Sequence, residues 1–541
     1  MDGLNKAACE RTKAETMKTP GVPDPLLSSP GFFPERVRLT PDLPAVIYET
    51  DSGSETVTWR ELLKKAARMQ ALLKSIPEKT VLLPARCNAN YAAAFLGALY
   101  LRKTVLPFSL RECESRLAEI RAMTNGVIFD PEDAANKKLP EMPGLPEKQE
   151  TPDFADMLSG SDPDIPANLL MSSGSSGTPK IIVHSLKNHL VSAENACRAL
   201  GITSADRYAL SLPLNHAGGQ AVIFRAVVSG AAMAVPDPRL SLPDSIARSG
   251  ITALSLVPTQ IWRLVNEAPS PEKLRSLKWI LAGGAPLSPE TVRRFRELYP
   301  RVRLFVSYAM TETASLAFLG ELTGGPGDYF GKPLPGWSCR ISGSLPGGSP
   351  DSAGEVLIRG PSLALGCLGT GETVNALPDP EGWFATGDTG IMTPDGLRIL
   401  GRRDFMFISG GENIIPESVE RELLKIPGIR EAVVVPLPDP EWGAMAAAVI
   451  KTAKPLPEFR PEYEEKAGKS IPAPLPRELR ESLKNAAARL LDRIRIPKVW
   501  IPWNPAWNQG LKIKRKEVQE YARAFWHKEG ISGKEGGNSA K

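Results

Sequence analysis

The segment NLLMSSGSSGTPK, residues 168–180, constrains the fold more than any other: a short apolar run stops abruptly in serine and glycine and closes on Pro179-Lys180. Further short apolar runs follow (RYALSLP, AAMAVP, ALSLVP, WILAGG, RLFVSY), with helix-like segments such as SAENACRALG and SPETVRRFRELYP between them. That alternation predicts parallel strands covered by helices, an α/β fold. In the first loop, the hydroxyls of Ser173, Ser175 and Ser176, the amides of Gly174 and Gly177 and the charge of Lys180 are groups that can surround phosphate oxygens. It is not a Walker A loop, because the lysine follows proline and no Gly-Lys-Ser/Thr occurs. Taken alone, a flexible serine and glycine turn explains it equally well.

The chain has 541 residues, enough for two or three folding units of roughly 100–200 residues each. Residues 1–35 are polar and proline-bearing and read as a loose lead-in; ordered structure is expected from about TVTWRELLKKAARMQALLKSI, whose apolar positions fall at helical spacing. A proline- and acid-rich stretch over about 130–165 reads as a surface connection. Residues 354–401 carry shorter strands with turn glycines, as expected of a β-rich subdomain. After Asp404, ESVERELLKI, REAVVVPLP, AMAAAVIKT and a helix near 476–492 make a compact α+β unit. A proline- and charge-rich insert at 453–476 splits it and reads as a mobile loop. The expected architecture is a large N-terminal domain over 36–403 and a small C-terminal domain over 404–541.

Composition removes several function classes. Basic residues exceed acidic ones by only 5, which provides no field for nucleic acid. The amino terminus lacks the apolar core of a secretory signal. The most apolar stretch, AVIFRAVVSGAAMAVP, is interrupted by Arg225 and is too short for a bilayer span, so no stable membrane insertion is expected. Six cysteines without C-x-x-C spacing fit a reducing cytoplasm. Four histidines with no Cys/His cluster leave little from which to build a zinc site, and His184 and His189, five apart, do not share a helical face.

Four further segments come after the serine and glycine loop in order: Ser307-Tyr308-Ala309-Met310-Thr311-Glu312, Gly382-Trp383-Phe384-Ala385-Thr386-Gly387-Asp388, Gly401-Arg402-Arg403-Asp404 and Gly510-Leu511-Lys512-Ile513-Lys514-Arg515. With these the sequence resembles, over roughly residues 40–525, the adenylate-forming superfamily of acyl-CoA synthetases, luciferases and peptide-synthetase adenylation domains. The resemblance implies a large N-terminal domain with a β-rich part, a small mobile C-terminal lid, and ATP, Mg²⁺ and coenzyme A as cofactor and co-substrates. It assigns Ser173, Ser175, Ser176, Gly177 and Lys180 to the ATP phosphates, and Gly283 and Gly284 to the same nucleotide site. Tyr308 stacks on adenine, Thr311 meets the α-phosphate and Glu312 holds Mg²⁺, since a hard cation takes a carboxylate together with phosphate oxygens. Asp388 accepts from both ribose hydroxyls and Arg402 assists. Lys512 resembles the lysine that polarises the reacting carboxylate and α-phosphate, with Lys514 as a competitor because the usual Gly-Lys is spread to Gly510-Leu511-Lys512. Asp404 stands at the hinge, and Ser409-Gly410-Gly411 is the turn presented on the thioester-forming side once the small domain rotates. Ala309 and Ile181 occupy positions where the superfamily usually has glycine.

Within the superfamily, residues 211–220 (SLPLNHAGGQ), 255–263 (SLVPTQIWR) and 408–414 (ISGGENI) are most similar to the 2-succinylbenzoate–CoA ligases of menaquinone biosynthesis. Such an acid has two carboxylates, one activated and one a spectator. A spectator anion buried in an apolar pocket needs a cation or several donors. Arg225, inside the apolar AVIFRAVV, answers that need if it neither snorkels to the surface nor pairs with a structural acid. Arg263 is the weaker candidate, and Gln220, Ser255 and Thr259 can supply neutral donors. His216 either borders the pocket as a gate in the reaction or is a packed core histidine. Two other functions compete: a ligase for a different carboxylic acid, and a catalytically silent acyl-adenylate or nucleotide binder. The presence of Glu312, Asp388 and Lys512 together argues against the second. A homodimer is left open.

Overall fold

A computed structural model of the chain describes residues 32–50, 53–136, 165–172, 180–284, 287–323, 330–344, 353–369, 373–452, 464–466, 469–471, 474–504, 507 and 515–528. Among them no helix is long and apolar enough to cross a membrane. The polypeptide builds two large sheets. The nine-stranded one runs, in spatial order, Lys332–Pro333, Ser315–Glu321, Arg303–Met310, Trp279–Ala282, Ala253–Leu256, Arg207–Ala209, Ala232–Val235, Pro44–Thr50 and Gly53–Thr58. From Arg303–Met310 to Pro44–Thr50 every pairing is parallel, and antiparallel strands close both edges. Trp279–Ala282 and Ala253–Leu256 are buried at every position, which is why they read as unbroken apolar runs without alternation.

The seven-stranded sheet has the order Val374–Ala376, Gly366–Leu368, Lys180–Ser185, Pro166–Ser172, Thr104–Phe108, Thr80–Pro84 and Val127–Ile128. Here the run NLLM pairs antiparallel with Lys180–Ser185, so the serine and glycine loop joins two strands of a hairpin and opens no helix. The four-stranded antiparallel sheet begins at Ser338–Ser344, earlier than the boundary of 354 read from the sequence, and continues through Gly354–Arg359, Phe384–Thr393 and Gly396–Arg402.

Two helices pack against the nine-stranded sheet. Trp59–Lys74 starts at Thr58, whose side chain accepts from the Glu61 amide while Glu61 accepts from the Thr58 amide, two orphan donors satisfied reciprocally. The apolar stretch around Arg225 forms the buried helix Ala217–Ser229, which Gly230 ends in a left-handed conformation at φ 81°. Its last carbonyls are capped from outside: Arg36 Nε donates to Val227 O at 2.8 Å and the guanidinium also reaches Val228 O. Arg36 belongs to the helix Phe32–Leu39, so regular structure begins inside the segment that the sequence presents as a loose lead-in.

Beyond Asp404, a hairpin of Phe407–Ser409 and Glu412–Ile414 precedes a three-stranded sheet of Ile429–Asp439, Gly443–Thr452 and Val499–Pro502. Strand alternation gives this sheet two cores. Val433, Val435 and Leu437 face the terminal helix Arg515–Lys528, and Val434 packs with Val419, Leu423 and Ala487 on the other side. Of the insert read as 453–476, only the short strand pair Glu464–Lys466 and Lys469–Ile471 and the segment from Pro474 fall within the described residues.

Arg515 ties these layers together. Its guanidinium donates to both Glu420 oxygens at 2.6 and 3.0 Å and to Val434 O at 2.6 Å, pairs with Glu417 at 3.4 Å, and lies 5.0 Å from the Phe405 ring centre. In Arg515→Ala two carboxylates lose their common cation, and breaking a buried pair typically costs about 3–5 kcal/mol. Hydrogen exchange at the Val434 amide, which donates to Glu420 Oε1 at 2.6 Å, should accelerate by about 10²–10³-fold. Unchanged exchange would mean that the clamp does not hold the unit together.

Candidate active site

Both ends of the serine and glycine loop are fixed where its hairpin opens. Ser172 pairs with Lys180, and Ser172 Oγ lies 3.5 Å from Lys180 O. Ser173, Ser175, Ser176 and Gly177 lie outside the described residues, as do Lys512 and Lys514. Lys180 itself is exposed at the start of its strand.

At the carboxyl ends of the parallel strands, where α/β sheets bind ligands, Ala282 pairs with Val306, and Ser307 Oγ donates to Ala282 O at 3.2 Å. Gly283 and Gly284 therefore leave the sheet beside Tyr308, and Gly284 adopts φ 87°, a conformation that favours glycine. The Tyr308 ring is buried against Phe318 and Phe330, and its hydroxyl donates to Asp388 Oδ2 at 2.5 Å. Arg402 stands directly across the ladder from Asp388 and donates to its Oδ1 at 3.1 Å, to Thr386 O at 2.8 Å and to Asp404 at 3.1 Å. Both Asp388 oxygens are thus engaged within the protein, each with a further lone pair available. Burial pushes the Asp388 carboxyl upward against the pull of Tyr308 and Arg402, and burial together with Asp388 pushes the Tyr308 phenol up.

Between the sheets lies the turn Thr311–Thr313, followed by two non-glycine residues in the left-handed half of conformational space, Ala314 at φ 52° and Ser315 at φ 100°. Backbone of this kind costs about 1–3 kcal/mol per residue and persists only where its surroundings over-determine it. The surroundings do so here. His184 Nε2 meets Thr311 O at 2.8 Å, Ser192 Oγ donates to Ala314 O at 2.9 Å, Thr313 Oγ1 donates to Ser315 O at 2.9 Å, and Arg225 Nη2 donates to Ser315 Oγ at 3.2 Å. Burial pushes the Glu312 carboxyl on this turn above the usual carboxylate range, against the pull of Arg402 and Lys180. Among the described residues no group of three or more His, Cys, Asp or Glu forms a metal cage. A desolvated carboxylate flanked by phosphate-seeking cations instead suits a hard divalent ion whose remaining ligands are phosphate oxygens and water.

Arg225 is 1% exposed, which rules out snorkelling. Its two terminal nitrogens donate to Tyr208 OH at 2.9 Å and to Ser315 Oγ, Nε has no partner, and no acidic side chain pairs with it among the described residues. Ser255 joins the cluster through a 2.6 Å hydrogen bond with Tyr208 OH. Gln220 departs from expectation: its amide nitrogen already donates to Tyr91 OH at 2.5 Å and Leu214 O at 2.6 Å, so it braces the helix and has no donor left for an acid. Thr259 and Arg263 are exposed on the helix Pro258–Glu267. His216 is exposed at the amino-terminal cap of the Arg225 helix, which rules out a packed core histidine.

Asp404 follows the strand Gly396–Arg402, exposed and ion-paired to Arg402. Ser409 is buried, and Gly410 and Gly411 turn the hairpin with φ 56° and 87°. The sequence reading missed Tyr208 and Ser315 as partners of Arg225, and His184 as a partner of the turn. Only position in the fold reveals them, because neither tyrosine, serine nor histidine stands in a motif with the group it touches.

The family described as AMP-binding enzyme matches residues 33–368. Among curated proteins, the 2-succinylbenzoate–CoA ligase of Escherichia coli (strain K12) is 34% identical over 357 residues, 66% of this chain and 69% of that protein. The 2-succinylbenzoate–CoA ligase of Bacillus subtilis (strain 168) is 31% identical over 450 residues, 80% of this chain and 90% of that protein. Among solved structures, o-succinylbenzoate CoA synthetase from Bacillus subtilis in complex with its acyl-adenylate intermediate superposes with a TM-score of 0.73 at 26% identity, covering 91% of this chain and 98% of that one. The same synthetase in complex with ATP and magnesium ion gives a TM-score of 0.69 at 26% identity, covering 87% and 95%.

Tyr308→Phe keeps the buried ring and removes the hydroxyl that Asp388 accepts from. A hydrogen bond to a charged group contributes about 1.5–3 kcal/mol, so the KM for ATP should rise by roughly ten- to a hundredfold with the fold unchanged. An unaltered KM would detach the Tyr308–Asp388 pair from nucleotide binding.

Proposed function

The chain belongs to the AMP-binding enzyme family, and from that premise we propose that it is an ATP-dependent acid–thiol ligase that adenylates 2-succinylbenzoate and transfers the acyl group to coenzyme A. The observation that carries the substrate is Arg225: a buried guanidinium with no acidic partner among the described residues is the counterpart of a spectator carboxylate. A monocarboxylic acid would leave that charge uncompensated. ATP, magnesium and coenzyme A are the other participants, and the reaction fits the cytoplasm.

In the first step a succinyl-side carboxylate oxygen bonds to the α-phosphorus while the bond from that phosphorus to the bridging oxygen of pyrophosphate breaks. In the second, the coenzyme A thiol loses its proton and its sulfur bonds to the acyl carbon, and AMP leaves with the electrons of the acyl C–O bond. Most of the acceleration comes from positioning and charge stabilisation. Ser173, Ser175, Ser176, Gly177 and Lys180 would hold the phosphates; Tyr308, Gly283, Gly284, Asp388 and Arg402 the nucleoside; Thr311 the α-phosphate. Glu312 would hold magnesium, which when bound neutralises charge on the triphosphate. Lys512 would stabilise the first transition state and then be carried away as the small domain turns about Asp404, bringing Ser409-Gly410-Gly411 to the cleft.

Two substitutions test these assignments. Arg225→Ala should lower kcat/KM for 2-succinylbenzoate by about 10²–10³-fold, the effect of leaving a buried anion unpaired, and should cost far less with an ester or amide that lacks the spectator charge. Equal losses on charged and neutral acids would make Arg225 purely structural. Lys512→Ala should slow acyl-adenylate formation by about 10²–10³-fold while sparing thioester formation from supplied acyl-adenylate. Equal loss in both half-reactions would contradict the rotation, and an unchanged adenylation rate would move the role to Lys514.

A further inference from the structure

His184 is fully buried on the strand Lys180–Ser185, four residues after the lysine that closes the phosphate loop. An even spacing puts Lys180 and His184 on the same face of the strand. The two side chains act on consecutive residues: the Lys180 charge on Glu312, and the His184 ring on Thr311 O at 2.8 Å. A carbonyl can only accept, so Nε2 carries the proton and donates, and Nδ1 is left as a buried acceptor without a partner among the described residues. Burial pushes the imidazole down to about 4, which keeps that neutral form at physiological pH. An apolar side chain would fill the same space without leaving Nδ1 unsatisfied, a penalty that packing alone does not explain.

The ring cannot swing away from the turn. His189 lies 4.9 Å from it and is itself stacked on Phe224 at 4.4 Å, with the planes 3° apart. Asn168 fixes His189 through a 3.2 Å hydrogen bond. On the other side of the contact, the one other bond to Thr311 O among the described residues is the longer one, 3.3 Å, from the Ala314 amide of its own turn. Ser192 and Arg225 hold the strained end of that turn at Ala314 and Ser315, and His184 holds the end that bears Thr311 and Glu312.

We propose that His184 is a positioning residue for the adenylation half-reaction, fixing the Thr311 carbonyl and through it the aim of the Thr311 hydroxyl and the Glu312 carboxylate at the triphosphate. The inference rests on the ligase reading of the site. It assigns to His184 no contact with substrate and no proton transfer.

The test uses the full chain and three substitutions. In His184→Gln the amide nitrogen takes the place of ring Nε2 and can still donate to Thr311 O; in His184→Asn the donor falls at the place of Nδ1; His184→Leu has none. Acid-dependent ATP–pyrophosphate exchange, the magnesium concentration for half-maximal exchange, thioester formation from supplied acyl-adenylate and the thermal unfolding midpoint are measured for each. Leaving the carbonyl short of its partner should slow exchange by about ten- to a hundredfold in the Asn and Leu variants and raise their magnesium requirement, with thioester formation spared. The Gln variant should keep most of the exchange activity. Equal behaviour of Gln and Asn would overturn the proposal, as would parallel loss of both half-reactions or full activity of His184→Leu. Should the Leu variant fail to fold, the Gln and Asn pair still decides. The wild-type rate in the same assay tests the ligase reading, and the ratio of each variant to wild type tests His184.

Discussion

A guanidinium taken out of water must be compensated, and in this protein the compensation offered by the chain is incomplete. Arg225 is 1% exposed, yet among the described residues its side-chain partners are two neutral hydroxyls, Tyr208 and Ser315, and its Nε has none. An unpaired buried charge is among the most expensive features a fold can carry. The helix that bears it is buried on nearly every side, closed by Gly230 and capped by Arg36, so the side chain has no route to solvent. A guanidinium held this way suits an anionic partner brought from outside the chain, which is the basis of the proposed pairing with the substrate.

The same arginine reaches the segment proposed to face the nucleotide. Ser315, which accepts from Arg225, is one of two strained residues that come after the turn carrying Thr311 and Glu312. Strain there is held by contacts from the strand Lys180–Ser185, from the helix Leu186–Leu200 and from the helix Ala217–Ser229. The elements proposed to hold the acid and the triphosphate therefore share a single tight turn. Such an arrangement suits a reaction whose main demand is that a carboxylate oxygen and an α-phosphorus be brought in line.

Much of this was legible in the residues. The alternation of short apolar runs with helices gave parallel layers because central strands are buried on both faces, and the polar interruption of AVIFRAVV marked Arg225 before any contact was known. Other features were hidden for physical reasons. A run of small residues after a strand does not say whether a helix or a strand comes next, and here it is a strand. Gln220 has the donors of a ligand-binding amide, but the nearest acceptors are Tyr91, which lies 129 positions away, and Leu214. His184 and His189 look unrelated at a spacing of five, because one ends a strand and the other begins the next helix, which brings the rings to 4.9 Å. Periodicity reports the face of one element, whereas these contacts depend on how elements are stacked.

The most direct measurement is a crystal structure of the chain with a stable analogue of 2-succinylbenzoyl-adenylate. The spectator carboxylate is expected at the Arg225 guanidinium, within hydrogen-bond reach of roughly 3 Å or through one ordered water, with the adenylate phosphate beside Thr311. A distal acyl group lying elsewhere, with Arg225 still bonded only to Tyr208 and Ser315, would contradict the pairing of that arginine with the substrate.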